Sequence, residues 1–76
     1  MKETLQFLLS HLVDNQEALS VEEKNEEGKI ILVVHVAPEE IGKVIGKHGR
    51  IIRALRDLIK VIAMKENQFV DITIAE

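Results

Sequence analysis

Apolar residues along the chain keep two rhythms, one helical and one alternating, and the switches between them mark out six elements. Leu5, Leu8, Leu9 and Leu12 recur at i, i+3, i+4 and i+7, which places them on one helical face and predicts a helix over residues 3–14. Leu19, Val21 and Glu23 alternate within ALSVEEKN, so residues 18–25 read as a strand. NEEG then reads as a turn, with Gly28 available for positive φ. KIILVVHVA, residues 29–37, is rich in β-branched residues and apolar on both faces. It is the strongest strand signal in the chain and should form a hairpin with the strand before it.

Pro38, with Glu39 and Glu40 behind it, predicts the start of a short helix ending near Ile45. Proline suits a first helical turn, and acids suit the positive end of the helix dipole. A second helix runs from Arg50 to Met64 or Lys65. Ile52, Leu55, Ile59 and Ile62 share its apolar face, Ile51 and Leu58 broaden it, and Arg50, Arg53, Arg56 and Lys60 lie on the opposite arc. KENQ is a short connection, and FVDITIA, residues 69–75, is an alternating strand with Val70, Ile72 and Ile74 on one side. The order α-β-β-α-α-β predicts an α+β fold, a three-stranded sheet with helices packed on one face.

The stretch IGKVIGKHGRII, residues 41–52, interrupts a helical rhythm with Gly42, Gly46 and Gly49. Glycine in a helix interior costs roughly 0.5–1 kcal/mol relative to alanine. The economical reading is that Gly46 and Gly49 end one helix and begin the next, with Lys47 and His48 at the tip of the turn. The N-terminus of the second helix then offers unpaired N–H groups and a partial positive charge, which suits an anion. Arg50 and Arg53 follow on its first turn. A P-loop and a dinucleotide-binding loop are both excluded, because glycines at 28, 42, 46 and 49 meet neither spacing.

Composition narrows the class. The 76 residues suffice for one small domain spanning 1–76, and a mix of 46% hydrophobic and 30% charged residues is that of a globular chain. The absence of cysteine excludes disulfides and thiolate metal sites. No apolar run approaches the roughly 20 residues that cross a bilayer, and the N-terminus does not read as a signal peptide, so the expected compartment is the cytoplasm. The net charge of −3 is uneven: residues 43–60 carry +5, leaving −8 to the remainder. A local positive field of that kind suits a polyanion in spite of the acidic total. His11, His35 and His48 have no metal-like spacing, no nucleophile or cofactor loop stands near the carboxylates, and neither a metal, a cofactor nor catalysis is expected.

These residues resemble the signature of the KH domain, an RNA-binding module whose G-x-x-G loop clamps a short stretch of single-stranded backbone. Ile41 and Ile45 precede the first two glycines of IGKVIGKHGRII, and Ile52 lies three residues beyond Gly49. The element order resembles the bacterial type II arrangement over essentially the whole chain, with the core motif in residues 38–65. The length and the segment GKHGRIIRALR are similar to small bacterial proteins built of a single KH domain. The resemblance implies a groove for about four nucleotides of single-stranded RNA. Gly46, Lys47, His48 and Gly49 would face the backbone, with Arg50 and Arg53 behind them. Ile41, Val44 and Ile45 would line the floor and Ile52 would support it. The second strand and the adjoining variable segment would form the other wall, with Val34 and Val36 as candidate contributors whose strand face the sequence leaves open. Gly42 would let the sheet or a nucleotide pack close. With no Trp or Tyr and only two Phe, the chain has no aromatic platform, and an aliphatic groove needs none.

The same resemblance implies a post-transcriptional regulator or RNA chaperone that gains avidity as a homodimer or by pairing with a larger KH-containing protein. Blander alternatives stand beside these expectations. Arg56 and Lys60 lie far from the loop and can be ordinary solvated cations. Glu22, Glu23, Glu26 and Glu27 form a solvated hairpin end. The rival to RNA binding is a protein-interaction module that uses the apolar arc near Leu58, Val61 and Ile62.

Overall fold

A computed structural model describes all of residues 1–76. The elements are α1 (Lys2–Ser10), β1 (Ser20–Glu26), β2 (Lys29–His35), α2 (Ile41–Ile45), α3 (Arg50–Lys65) and β3 (Phe69–Ile74). Short 3-10 turns at Gln16–Ala18, Pro38–Glu40 and Lys47–Gly49 complete the chain. The sheet is mixed, in the order β1-β2-β3, with β1 antiparallel and β3 parallel to the central β2. The α+β architecture, with a three-stranded sheet covered by helices on one face, is as expected.

The core follows from the strand alternation. Ile30, Leu32 and Val34 of β2 point to the covered face, flanked by Val21 of β1 and by Val70 and Ile72 of β3, and all are buried. Leu5 and Leu9 of α1 and Val44 and Ile59 of α2 and α3 meet them from the helical layer with no exposure. Each such side chain contributes about 1.5–3 kcal/mol by leaving water. The other face of β2 carries Ile31 and Val33, half-buried between the Lys29–Asp71 ion pair at 3.8 Å and the contact of His35 Nε2 with Glu22 Oε1 at 3.4 Å.

Several boundaries differ from the periodicity, for physical reasons. The first helix stops at Ser10 rather than residue 14. There the Gln16 side-chain amide donates to the carbonyl oxygens of Ser10 and Val13, both at 2.8 Å, and satisfies groups that another helical turn would have used. The hairpin turn is two residues long, with Glu27 at φ 53° as well as Gly28 at φ 81°, the pair of positive values that matches the twist of the strands. On α3 the buried residues are Ile52, Leu55, Ile59 and Ala63. Ile62 is only half-buried and Leu58 is exposed, so the helix is rotated toward β3 relative to the stripe of largest side chains.

Candidate nucleic-acid interface

Glu40 is the one buried charged residue, and it builds the first half of the site. The backbone N–H groups of Asp14 and Asn15 donate to its two carboxylate oxygens, the latter at 2.9 Å. Lys43 Nζ donates to Glu40 Oε2 at 3.3 Å and to Asp14 Oδ2 at 2.8 Å. The two backbone donors hold the Glu40 carboxyl below its ordinary value, helped by Lys43. Asp14, then Glu40, raise the Lys43 ammonium. This bracket fastens the start of α2 to the segment after α1. By sequence alone Glu40 is a helix-start acid, interchangeable with Glu39. It is instead a long-range anchor.

The far end of α2 is shaped by sterics. Gly46 ends the helix at φ 77°, ψ 168°, a conformation essentially restricted to glycine. A Cβ there would lie 2.6 Å from Ile51 Cγ1 and 2.8 Å from its Cβ, so α3 begins in van der Waals contact with a bare backbone. His48 follows at φ 58° and Gly49 at φ 71°. These left-handed residues turn the chain sharply, and no side chain caps the N-terminus of α3. The side chains of Lys47 and His48 are exposed and make no hydrogen bond or ion pair. Gly42 is helical and exposed, and a Cβ on it would meet nothing within 4 Å. Close packing against the sheet is therefore not its role, and its bare surface faces outward.

Beside the loop a groove of about 230 Å³ opens between α2, α3 and β3. Ile41, Ile45, Ile52 and Ile74 line it, with Arg56 and Glu76 as its polar groups. Arg56 is half-buried, and its guanidinium donates to the carbonyl oxygen of Ile72 through Nη2 at 3.1 Å. On this edge strand the Ile72 N–H in turn donates to Asp71 Oδ1 at 2.9 Å. Both edge groups of Ile72 are thus occupied, and an edge that would otherwise invite pairing is partly blunted.

The structure brings Ile41, Ile45 and Ile52 together next to Gly46–Gly49, with Arg53 exposed one turn before Arg56 on α3. Other expected contributors lie elsewhere. Val44 has no exposure and belongs to the core, so it supports the groove from beneath and cannot line it. Arg50 borders a different furrow, the apolar one between α1 and α3 that Leu8, Leu12, Ile51 and Leu58 line. The second wall is β3, not the second strand: Val34 is fully buried in the central strand, and Val36, half-buried, does not line the groove, whereas Ile74 does. Ile74 and Glu76 of that wall were not expected, although the alternation of FVDITIA already gave β3 an apolar side. Arg56 is neither remote nor merely solvated.

An α-β-β-α-α-β sheet layer with a glycine-framed turn beside an aliphatic groove defines a KH-type domain. A family model described as "KhpA/KhpB, KH domain" matches residues 2–74, and the chain belongs to that family. Among named relatives, the RNA-binding protein KhpA of Clostridium acetobutylicum is 47% identical over 74 residues, covering 97% of this chain and 99% of the relative. RNA-binding protein KhpA of Chlamydia pneumoniae is 40% identical over 76 residues, covering 100% and 97%. The Aquifex aeolicus protein of the same name is 38% identical over 76 residues, covering 100% and 96%. No solved structure matches the chain significantly. No helix is long and apolar enough to cross a membrane.

Proposed function

We propose that this chain is a non-catalytic single-stranded RNA-binding protein. Gly46, Lys47, His48 and Gly49 grip the phosphate backbone, and the groove of Ile41, Ile45, Ile52 and Ile74 holds about four bases by van der Waals contact. The observation that carries this reading is the adjacency of that groove to a loop whose exposed Lys47 and His48 side chains have no partner within the chain. Phosphate contacts then supply most of the affinity and make it fall with salt. Gly42 leaves the outer surface of α2 bare where a nucleotide approaches. The names of the relatives support the same ligand class, and a role as a post-transcriptional regulator or RNA chaperone in the cytoplasm fits it.

The test is binding of a labelled single-stranded RNA at two salt concentrations, with wild type and the Lys47→Asp/His48→Asp variant. The variant should lose binding at both and keep its fold by circular dichroism. Equal binding by the two proteins sinks the clamp.

A second reading rests on the apolar furrow between α1 and α3, about 350 Å³ in volume, and on Leu58 and Val61, which are 45% and 53% exposed. This flank suits a protein partner, either a second copy or a larger KH-containing protein such as KhpB. It lies on the side of α3 away from the groove, so both functions can coexist, and pairing would raise the avidity of a weak single groove.

A further inference from the structure

The seam between α3 and β3 does not end at the groove. It runs on to a second depression of about 380 Å³ at the C-terminal end of α3, bordered by Lys29, Lys60, Met64, Gln68 and Phe69. Phe69 is 77% exposed and Met64 73%, the two most exposed large apolar side chains in the chain. The other phenylalanine, Phe7, packs edge-on against His11 with ring centroids 4.7 Å apart. Phe69 has no aromatic neighbour.

We propose that this shelf is a second contact for single-stranded RNA leaving the groove, with a base stacked on Phe69 and phosphates drawn to Lys60 and Lys29. The proposal rests on the groove reading above. Two features select RNA over other occupants. The first is continuity: Arg53, Arg56 and Lys60 step down one flank of α3 at helical spacing, from the groove to the shelf. Along β3, Ile74 in the groove and Phe69 on the shelf are about 17 Å apart and on opposite faces of the strand, so RNA reaches the ring by crossing the strand edge beside α3, a path that a few extended nucleotides bridge. The second is chemistry. Lys60 makes no ion pair, and Lys29 has only its 3.8 Å contact with Asp71, in which both side chains are about half exposed. An exposed aromatic ring among available cations is the recurring platform of sequence-tolerant single-strand binders. The chain has no Trp or Tyr to build such a platform. The position of Phe69 supplies one.

The experiment compares fluorescein-labelled oligouridines of about four and about ten nucleotides, lengths chosen from the groove's capacity. Wild type should bind the longer oligonucleotide more tightly, beyond the statistical gain in sites. Phe69→Ala should weaken the long oligonucleotide about tenfold and leave the short one unchanged. Phe69→Trp should restore the difference, and Lys60→Ala should lower the salt slope on the long oligonucleotide alone by about 1. At its exposure, replacing Phe69 leaves the core intact. Equal effects of Phe69→Ala on both lengths, or none on either, overturn the shelf. So does loss of self-association by Phe69→Ala with RNA binding unchanged, which would assign the face to a protein partner. The groove is read separately from the short oligonucleotide. If Lys47→Asp/His48→Asp leaves it bound, the groove reading fails and the shelf fails with it.

Discussion

Lys43 and Lys47 stand four residues apart, at the two ends of the same structural problem. Lys43 is held by Asp14 and Glu40, and its charge is spent within the fold. Lys47 touches no acid and projects from a turn whose geometry is enforced by backbone and by Ile51. The bracket fixes α2 through hydrogen bonds to a buried carboxylate. The loop is fixed by a steric contact that admits only glycine. A basic segment read as one surface thus separates into cations that build the site, Lys43 and Arg56, and cations left free to meet a ligand, Lys47, Arg53 and Lys60 among them.

The largest loss of stability is expected at Gly46. Alanine there must push its Cβ into the branch point of Ile51 and adopt a φ that alanine disfavours. Gly46→Ala should cost about 3 kcal/mol in urea unfolding. A loss under about 1 kcal/mol would show that the turn is not held by this contact. The bracket comes next. Glutamine at Glu40 keeps one acceptor oxygen where the carboxylate has two, so Glu40→Gln should lose stability at neutral pH, by less than Gly46→Ala.

The acid dependence sharpens that test. Because the folded-state pKa of Glu40 is depressed, its contribution is complete above the ordinary carboxylate value of 4.5 and is lost as pH falls through the depressed value. Denaturant midpoints measured from neutral pH downward should fall more steeply below that value in wild type than in Glu40→Gln. Parallel curves would remove the carboxylate from the account. Gly49→Ala is the smaller steric partner of Gly46→Ala. Its φ is left-handed but a Cβ would meet nothing within 4 Å, so about 1 kcal/mol is expected. The smallest effect on stability belongs to Lys47→Ala, within about 0.5 kcal/mol of wild type. That variant should nonetheless weaken RNA binding, whereas Lys43→Ala should reverse the pattern, measurably less stable with RNA affinity nearly kept.

Residues that act through local rules were legible without a structure. The helix break at Gly46–Gly49 follows from glycine spacing, and the strand faces of Ile30, Leu32 and Val34 follow from alternation. Glu40 was not legible, because nothing nearby distinguishes it from Glu39. Its meaning lies in two N–H groups that approach from about 25 residues away. The exchange of walls has the same origin. Val34 and Ile74 both sit on apolar strand faces and are paired in register, yet the first is in the central strand and the second on the edge beside α3.

The amino-acid sequence by itself determined the element order, the periodic faces that bury the core, the glycine turn and the concentration of positive charge. Each rests on dihedral preferences or on side-chain periodicity within a few residues. Only the tertiary structure decided which cations are free, which valine is core and which isoleucine is groove, and that the carboxylate of Glu40 is the anchor of α2. Those outcomes depend on which strand lies at the sheet edge and on which backbone donors a fold brings together, and neither is encoded in any short stretch of residues.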